Sequence, residues 1–101
     1  MLNQIMLQGT VTNLKLRHDE NHPSCNHQSF MLNFEDGLCT DSINVCDWIN
    51  AQVKDGDKVL VIGCLMSNEK SIKDGYDLPK EWFIMLNDTT QGHKVIKLQE
   101  D

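Results

Sequence analysis

Residues 54–66, with the sequence KDGDKVLVIGCLM, decide the fold of this chain. A polar Lys-Asp-Gly-Asp turn is followed by the run 58–66, which is apolar apart from Lys58 and Gly63. A short apolar run bounded by a turn is typical of a strand that is covered on both faces. The segment therefore predicts a central strand of a sheet, entered through a tight turn.

The N-terminal third predicts one long strand and a loop. In residues 3–17 the apolar positions alternate, and their phase changes between Gly9 and Asn13. Such a phase change indicates a bulge or a bend within one strand. Residues 18–27 are polar, contain a proline and have no apolar period, which indicates a loop.

The next segment predicts a hairpin. Phe30, Leu32 and Phe34 recur at every second position, and the run stops at an Asp-Gly pair, residues 36–37. Asp-Gly is typical of the tight turns that join antiparallel strands. A third strand over residues 39–46 is expected to return beside the second.

The second half of the chain predicts one helix and two more extended segments. The carboxylate of Asp47 is expected to cap a short helix over residues 48–53, with Ile49 and Val53 facing inward. Residues 67–80 are polar and are interpreted as a protruding hairpin. Strand patterns follow over residues 81–86, where Trp82 and Ile84 oppose Phe83 and Met85, and over residues 94–98.

These elements predict an all-β fold, a small five-stranded antiparallel OB-fold barrel with one short helix between strands 3 and 4. With 101 residues, 40 % hydrophobic and 24 % charged, the chain is expected to form a single OB-fold domain over residues 1–101. No apolar run has the length of a membrane span, which predicts a cytoplasmic protein without a membrane partner. Cysteines with no paired spacing are expected to be free thiols, here Cys25, Cys39, Cys46 and Cys64.

Three segments resemble the single-stranded DNA-binding protein family. Residues 3–11, NQIMLQGTV, are similar to the family's first strand, and residues 30–33, FMLN, to its second. Residues 54–63 resemble its Lys/Arg-Gly-Asp-x-Val-x-Val-x-Gly segment. The resemblance covers nearly the whole chain, and the short length is similar to that of primosomal replication protein n, a tailless dimeric relative of the family.

The resemblance implies a protein that binds single-stranded DNA without strong sequence preference and acts in replication, repair or recombination. It implies a homodimer or homotetramer that pairs the edges of first strands, here near residues 3–8, with replication proteins as further partners. DNA and RNA remain alternatives as the ligand. The family usually carries a flexible C-terminal tail, and this chain is expected to have none, since it ends at residues 99–101.

Single-strand binding needs cations for the phosphates and flat side chains on which bases stack. The loop between the fourth and fifth strands carries three lysines and a tyrosine, Trp48 lies near a family stacking position, and two cations end the first strand. Trp82 and Phe34 are expected in the core. The candidate contacts are Lys15, Arg17, Trp48, Lys70, Lys73, Tyr76 and Lys80.

Two features favour a different function. Fifteen acidic against nine basic residues give a formal charge of −6, which opposes binding to a polyanion. At residues 70–72 the chain has no aromatic side chain where the family places a stacking one. The alternative is an acidic OB-fold module that has lost DNA binding and docks on a replication or mobile-element protein through a strand edge.

Metal binding and catalysis are not expected. His18, His22, Cys25 and His27 are ligand types that zinc accepts, but their spacing matches no established zinc site, and a solvated loop is the expected interpretation. No Ser/His/Asp set, phosphate-binding glycine loop or carboxylate pair has a recognisable spacing. We therefore expect a non-enzymatic protein without a cofactor.

Overall fold

The computed structural model describes residues 3–18, 20–22, 26–35 and 40–98, and in this part of the chain it shows six β-strands. The strands are β1 (Ile5–Arg17), β2 (His27–Glu35), β3 (Thr40–Asp47), β4 (Lys58–Ser67), β5 (Trp82–Leu86) and β6 (Lys94–Lys97). A short helix, α1 (Glu69–Lys73), lies between β4 and β5, and a single 3-10 turn over Thr89–Gln91 precedes β6.

The first five strands close into a barrel because β1 pairs with two partners. Its second half pairs with β2, and its first half pairs with β4, in both cases antiparallel. The closed order is β1-β2-β3-β5-β4-β1, and β6 adds to β4. The expected small, all-β, OB-like barrel of five strands is confirmed.

One strand pair departs from the antiparallel order that the sequence predicts. Strands β3 and β5 are parallel, with Val45 opposite Ile84. The reason is topological: β5 runs antiparallel to β4, and its other edge then meets β3 in the same direction. This parallel pair completes the ring of strands.

The bend predicted within β1 is present. The register against β2 shifts between Thr12 and Lys15, and Asn13 has a φ of 54°. A bulge takes a residue out of the ladder, so its neighbourhood needs other hydrogen-bond partners. The N–H of Leu14 finds one in the carboxylate of Asp55, at 2.9 Å. The turn before β4 thus stabilises the bend.

The core is built from the alternating positions that the sequence identifies. Its buried members come from all five barrel strands, and partly buried Ile49 and Val53 pack against them as predicted. A Cβ on Gly63 would lie 2.6 Å from the carbonyl oxygen of Met85, so glycine is what lets β4 approach β5 this closely. The buried core consists of Val11, Phe30, Leu32, Val45, Val59, Val61, Ile84 and Leu86.

The predicted helix over residues 48–53 is wrong. The carboxylate of Asp47 does accept hydrogen bonds from three backbone N–H groups, those of residues 49–51, at 2.8–3.0 Å. Asn50, however, has a φ of 55°. A residue in the left-handed region cannot continue a right-handed helix, so the segment forms a capped loop instead.

The helix of this barrel lies one connection later. The stretch 67–80, interpreted from sequence as a hairpin, contains α1, in which Lys73 and Glu69 form an i,i+4 ion pair with an N–O distance of 3.7 Å. Such a pair supports a helical turn. Among the described residues, the short α-helix therefore lies between strands 4 and 5, not between strands 3 and 4 as predicted.

Some sequence-based predictions fall outside the described residues. These are the Asp-Gly turn at residues 36–37, and Cys25 and Cys39. Cys46 and Cys64 are free, half-buried thiols. Within the described ranges, no helix is both long enough and apolar enough to cross a membrane.

A carboxylate in the turn before β4 links stability to pH. Asp57 accepts a hydrogen bond from the backbone of Lys54 at 3.0 Å and lies 3.4 Å from the Lys97 ammonium, and these contacts lower the pKa of its carboxyl. A carboxyl whose pKa is lower in the folded than in the unfolded state stabilises the fold at any pH above the unfolded-state pKa. This stabilisation is lost as the pH falls through the folded-state pKa.

The unfolding free energy of the wild-type protein falls between about pH 5 and pH 2, partly because Asp57 takes up a proton on unfolding. We expect Asp57→Asn to show a smaller fall over this range, because asparagine takes up no proton. Urea unfolding across that range measures it. Asp74→Asn, which removes the same charge from an exposed turn, is the matched control. Equal slopes for the two variants would contradict the prediction.

Candidate nucleic-acid interface

A shallow groove runs over the outer face of β1, β2 and β3. Side chains alternate along each strand, so the residues between core positions point outward on all three. The groove has a volume of about 530 Å³. Its lining includes Lys15, Arg17, Ser29, Met31, Asn44 and Trp82.

Lys15 and Arg17 are the cations of this groove. They face Ser29 and His27 across the β1–β2 ladder, beyond the bulge, and both line or border the same surface. Sequence alone leaves open whether they share a groove or merely an exposed face. The structure places both of them in the groove lining.

The side chain of Trp82 lines the groove. The sequence-based prediction that Trp82 lies in the core is wrong. It shares the parity of the core residue Ile84, but it is the first residue of β5 and lies at the end of the barrel, where 54 % of its surface is exposed. The ammonium of Lys80 lies 5.1 Å from the centroid of its ring, a cation–π contact. Lys80 does not line the groove itself, but this contact holds its ammonium beside Trp82.

Trp48 lies next to the other end of the groove. Its ring stacks on that of His27, with centroids 3.9 Å apart and an angle of 15° between the planes. His27 is opposite Arg17 in the ladder, and 38 % of the surface of Trp48 is exposed. One face of Trp48 is thus occupied by an imidazole, and the contact positions the indole beside a groove cation.

The pKa of the Cys46 thiol is raised by its surroundings, which include Asp47, Trp48 and Arg17. Burial is the main cause that raises its pKa, and the charge of Asp47 acts in the same direction. A hydrogen bond with Trp48 and the charge of Arg17 act in the opposite direction. The net effect keeps the thiol protonated, so Cys46 contributes a neutral surface beside Arg17 and Trp48.

The remaining candidates lie away from the groove. Lys70 and Lys73 are exposed on α1, and Lys73 pairs with Glu69. Tyr76 is 66 % exposed on the turn that follows. None of the three candidates is among the residues that line the groove.

The base of the loop that carries them is fixed by Asn68. Its side chain donates to the carbonyl of Pro79 and accepts from the N–H of Glu81, each at 2.9 Å. The two ends of the loop are therefore held together by Asn68, directly before Trp82. We call these two hydrogen bonds the Asn68 clamp. This clamp fixes the direction in which β5 enters the barrel and so the position of Trp82.

The local charge of the groove differs from that of the whole chain. Lys15 and Arg17 line it and Lys80 lies over its tryptophan, whereas Glu81 is the carboxylate among the described residues of the lining. Asp55 and the other carboxylate of its turn are engaged with backbone N–H groups and do not line the groove. The groove is therefore basic on a protein whose formal charge is −6.

The described histidines of the loop after β1 do not come together as a metal site. Cys25 lies outside the described residues, and His27 is stacked on Trp48. Over the described ranges, no group of three or more His, Cys, Asp or Glu side chains is close enough to hold a metal ion.

No protein-family model and no curated protein matches this chain. Function is therefore inferred from the geometry and charge of the groove. Two of its features, the exposed Trp82 and the partner of Trp48, are missed by sequence reasoning. The position of Trp82, first in its strand after a polar loop, is the signal that could have indicated exposure.

A buried carboxylate holds the strand ends beside Trp48. Asp47 is fully buried, and besides its three backbone donors it accepts from the amide of Gln28 at 2.7 Å.

We expect Asp47→Ala to lower the unfolding free energy by about 1–3 kcal/mol or more, since buried donors lose their acceptor. Urea denaturation measures this. Asp41→Ala, an exposed change on the same strand, is the control, and a similar small effect of both variants would be evidence against the prediction.

Proposed function

We propose that this protein binds single-stranded DNA in the groove on the outer face of β1, β2 and β3, without strong sequence preference. The observation that carries the proposal is the juxtaposition of the exposed Trp82 with Lys15 and Arg17 in one groove. An electropositive path with an aromatic platform is what single-strand binding requires. The OB-like barrel commonly uses this face for oligonucleotides.

In the proposed complex the phosphates contact Lys15 and Arg17 and the bases stack on aromatic rings. Each phosphate contact releases counterions, which makes the affinity depend on salt. Trp82 offers a platform at one end of the groove, with Lys80 beside it for a phosphate. At the other end Trp48 offers the ring face that His27 does not cover.

The proposal favours single strands over duplexes for a geometric reason. In a duplex the faces of the bases are stacked on one another, so Trp82 and Trp48 have no base to receive. Cations and stacking rings are suited to RNA as well as to DNA. Labelled oligo-U of the same length as the DNA therefore serves as a separate arm of the binding test. The resemblance of residues 54–63 to the single-stranded DNA-binding family supports DNA and a role in replication, repair or recombination.

A second candidate function has its own observation. The outer face of the sheet formed by β1, β4 and β6 carries three exposed apolar side chains, Met6, Met66 and Ile96, which are 58 %, 41 % and 39 % exposed. Exposed apolar groups on an acidic domain favour docking on another protein, here a replication or mobile-element protein. In that case the basic groove would have no nucleic-acid ligand.

We expect fluorescence anisotropy to show binding to labelled oligo-dT of about thirty nucleotides, weakened by salt, and no comparable binding to duplex DNA. Trp82→Ala should weaken the affinity at every salt concentration by about fivefold or more, the cost of one lost base stack. Absence of binding at low salt would reject DNA binding and favour the docking module.

A matched pair of variants tests the groove itself. Lys15→Gln with Arg17→Gln should lower the slope of log affinity against log salt by about 1.4, since each phosphate contact on a single strand contributes about 0.7. Lys70→Gln with Lys73→Gln removes the same charge from α1 and should change the slope less. Equal losses in both double variants would show that the groove is not the site.

We also propose that the protein is a homo-oligomer that pairs the first half of β1 with a second copy. One edge of this segment is bonded to β4, and the ladder to β2 begins only at Thr10. An open strand edge is a ready template for another strand, and a twofold axis makes both contacts equal. The pairing lies in the plane of the sheet and leaves its outer face accessible.

We expect sedimentation velocity to detect a dimer or tetramer at micromolar concentration. Gln4→Pro should shift it toward monomer, because proline cannot donate to an added strand and position 4 is outside the β4 ladder. Thermal unfolding of the variant is the control for an intact barrel. A wild-type protein that sediments as a monomer at all concentrations would exclude this interface.

A further inference from the structure

A second cleft lies at the far end of the β1–β2 ribbon. It has a volume of about 420 Å³ and its lining includes Gln8, Thr10, Asn33, Phe34 and Lys58. We propose that it binds a further nucleobase, with its phosphate, of the same single strand that occupies the groove. This inference rests on the proposed function and adds a site to it.

The two clefts are neighbours on one face. The outward pairs of the ribbon follow in order from Arg17 and His27 to Thr10 and Asn33. Met31 lines the groove, and Asn33, the next outward residue of β2, lines the second cleft. Two residues of a strand span about 7 Å, so no gap separates the sites. A strand that leaves the groove along the ribbon therefore enters the cleft.

The chemistry of the second cleft matches a nucleotide. Half-buried Phe34 contributes an aromatic side chain, and Lys58 contributes an ammonium that also takes part in an interaction within the protein. The remaining side chains are neutral hydrogen-bonding groups. An aromatic ring, a cation and neutral polar groups are suited to a base, its phosphate and the edge of the base, respectively.

One of the polar groups is already fixed in place. The Nδ2 of Asn33 donates to the carbonyl of Thr10 at 3.4 Å and to the hydroxyl of Thr12 at 2.5 Å. Because both donors of the amide are used, the Oδ1 of Asn33 remains as its acceptor. A base with a ring N–H or an amino group is therefore the better ligand for this cleft.

The test compares oligonucleotides of different length. OB folds cover about 4–16 nucleotides, so oligo-dT of about four and about sixteen nucleotides separate the groove alone from the groove plus the cleft. Lys58→Gln should weaken binding of the longer strand about threefold to tenfold and lower its salt slope by up to about 0.7, with little effect on the shorter one. Lys94→Gln on β6, away from the ribbon, removes the same charge and is the control.

Phe34→Leu tests the stacking platform. It should weaken binding of the longer strand about fivefold or more, while urea unfolding confirms that this half-buried position still allows the barrel to fold. In NMR spectra, the side-chain amide signals of Gln8 and Asn33 should shift with the longer strand and not with the shorter one.

The outcomes separate this inference from the proposed function. If the wild-type protein binds the longer strand and both Lys58→Gln and Phe34→Leu bind it like Lys94→Gln, the second cleft is not a site and the groove stands. If the wild-type protein binds neither length at low salt, both proposals fall together. Losses confined to the longer strand, with shifted amide signals, support the cleft.

Discussion

The structure depends on one constraint, the shared use of β1 by two neighbours. A single strand can pair with β2 along one half and β4 along the other only if it bends between them. The bend is made by Asn13 in the left-handed region, and it persists because Asp55 accepts the displaced N–H of Leu14. The turn that begins the central strand therefore also fixes the shape of the first one.

The position of the bend decides what the outer face presents. The register change between Thr12 and Lys15 keeps the residues on either side of the bulge outward, so Lys15 and Arg17 emerge beside β2. The same closure directs β5 to enter next to β3, which brings Trp82 to the groove. Cations from the first strand and an aromatic ring from the fifth thus meet, although most of the chain separates them.

Alternation and turn residues were sufficient to predict the strands, the bulge and the barrel, because these depend on local patterns. The sequence predicts the capping carboxylate of Asp47 correctly, but not the helix over residues 48–53. The left-handed Asn50, which prevents that helix, has no unambiguous sequence signal. The sequence predicts Lys15 and Arg17 as candidates. It places Trp82 in the core, because parity alone does not show where the barrel ends. Lys70, Lys73 and Lys80 are close in sequence, which predicts a shared site. In the structure only Lys80, beyond the residues that Asn68 holds together, lies beside Trp82, and Lys70 and Lys73 do not line the groove.

The pairing of Ile5 with Gly63 also has a kinetic meaning. More than half of the chain lies between these two residues, and their ladder closes a loop that contains β2 and β3. Ordering so long a loop costs entropy before the contact returns any energy, so topologies of this kind fold slowly. The β2–β3 hairpin is local and can form early, whereas closure of the ring waits for β4. Until then β1 leaves backbone groups unpaired and its apolar side chains uncovered, and this is the interval in which the unfinished barrel is most open to aggregation.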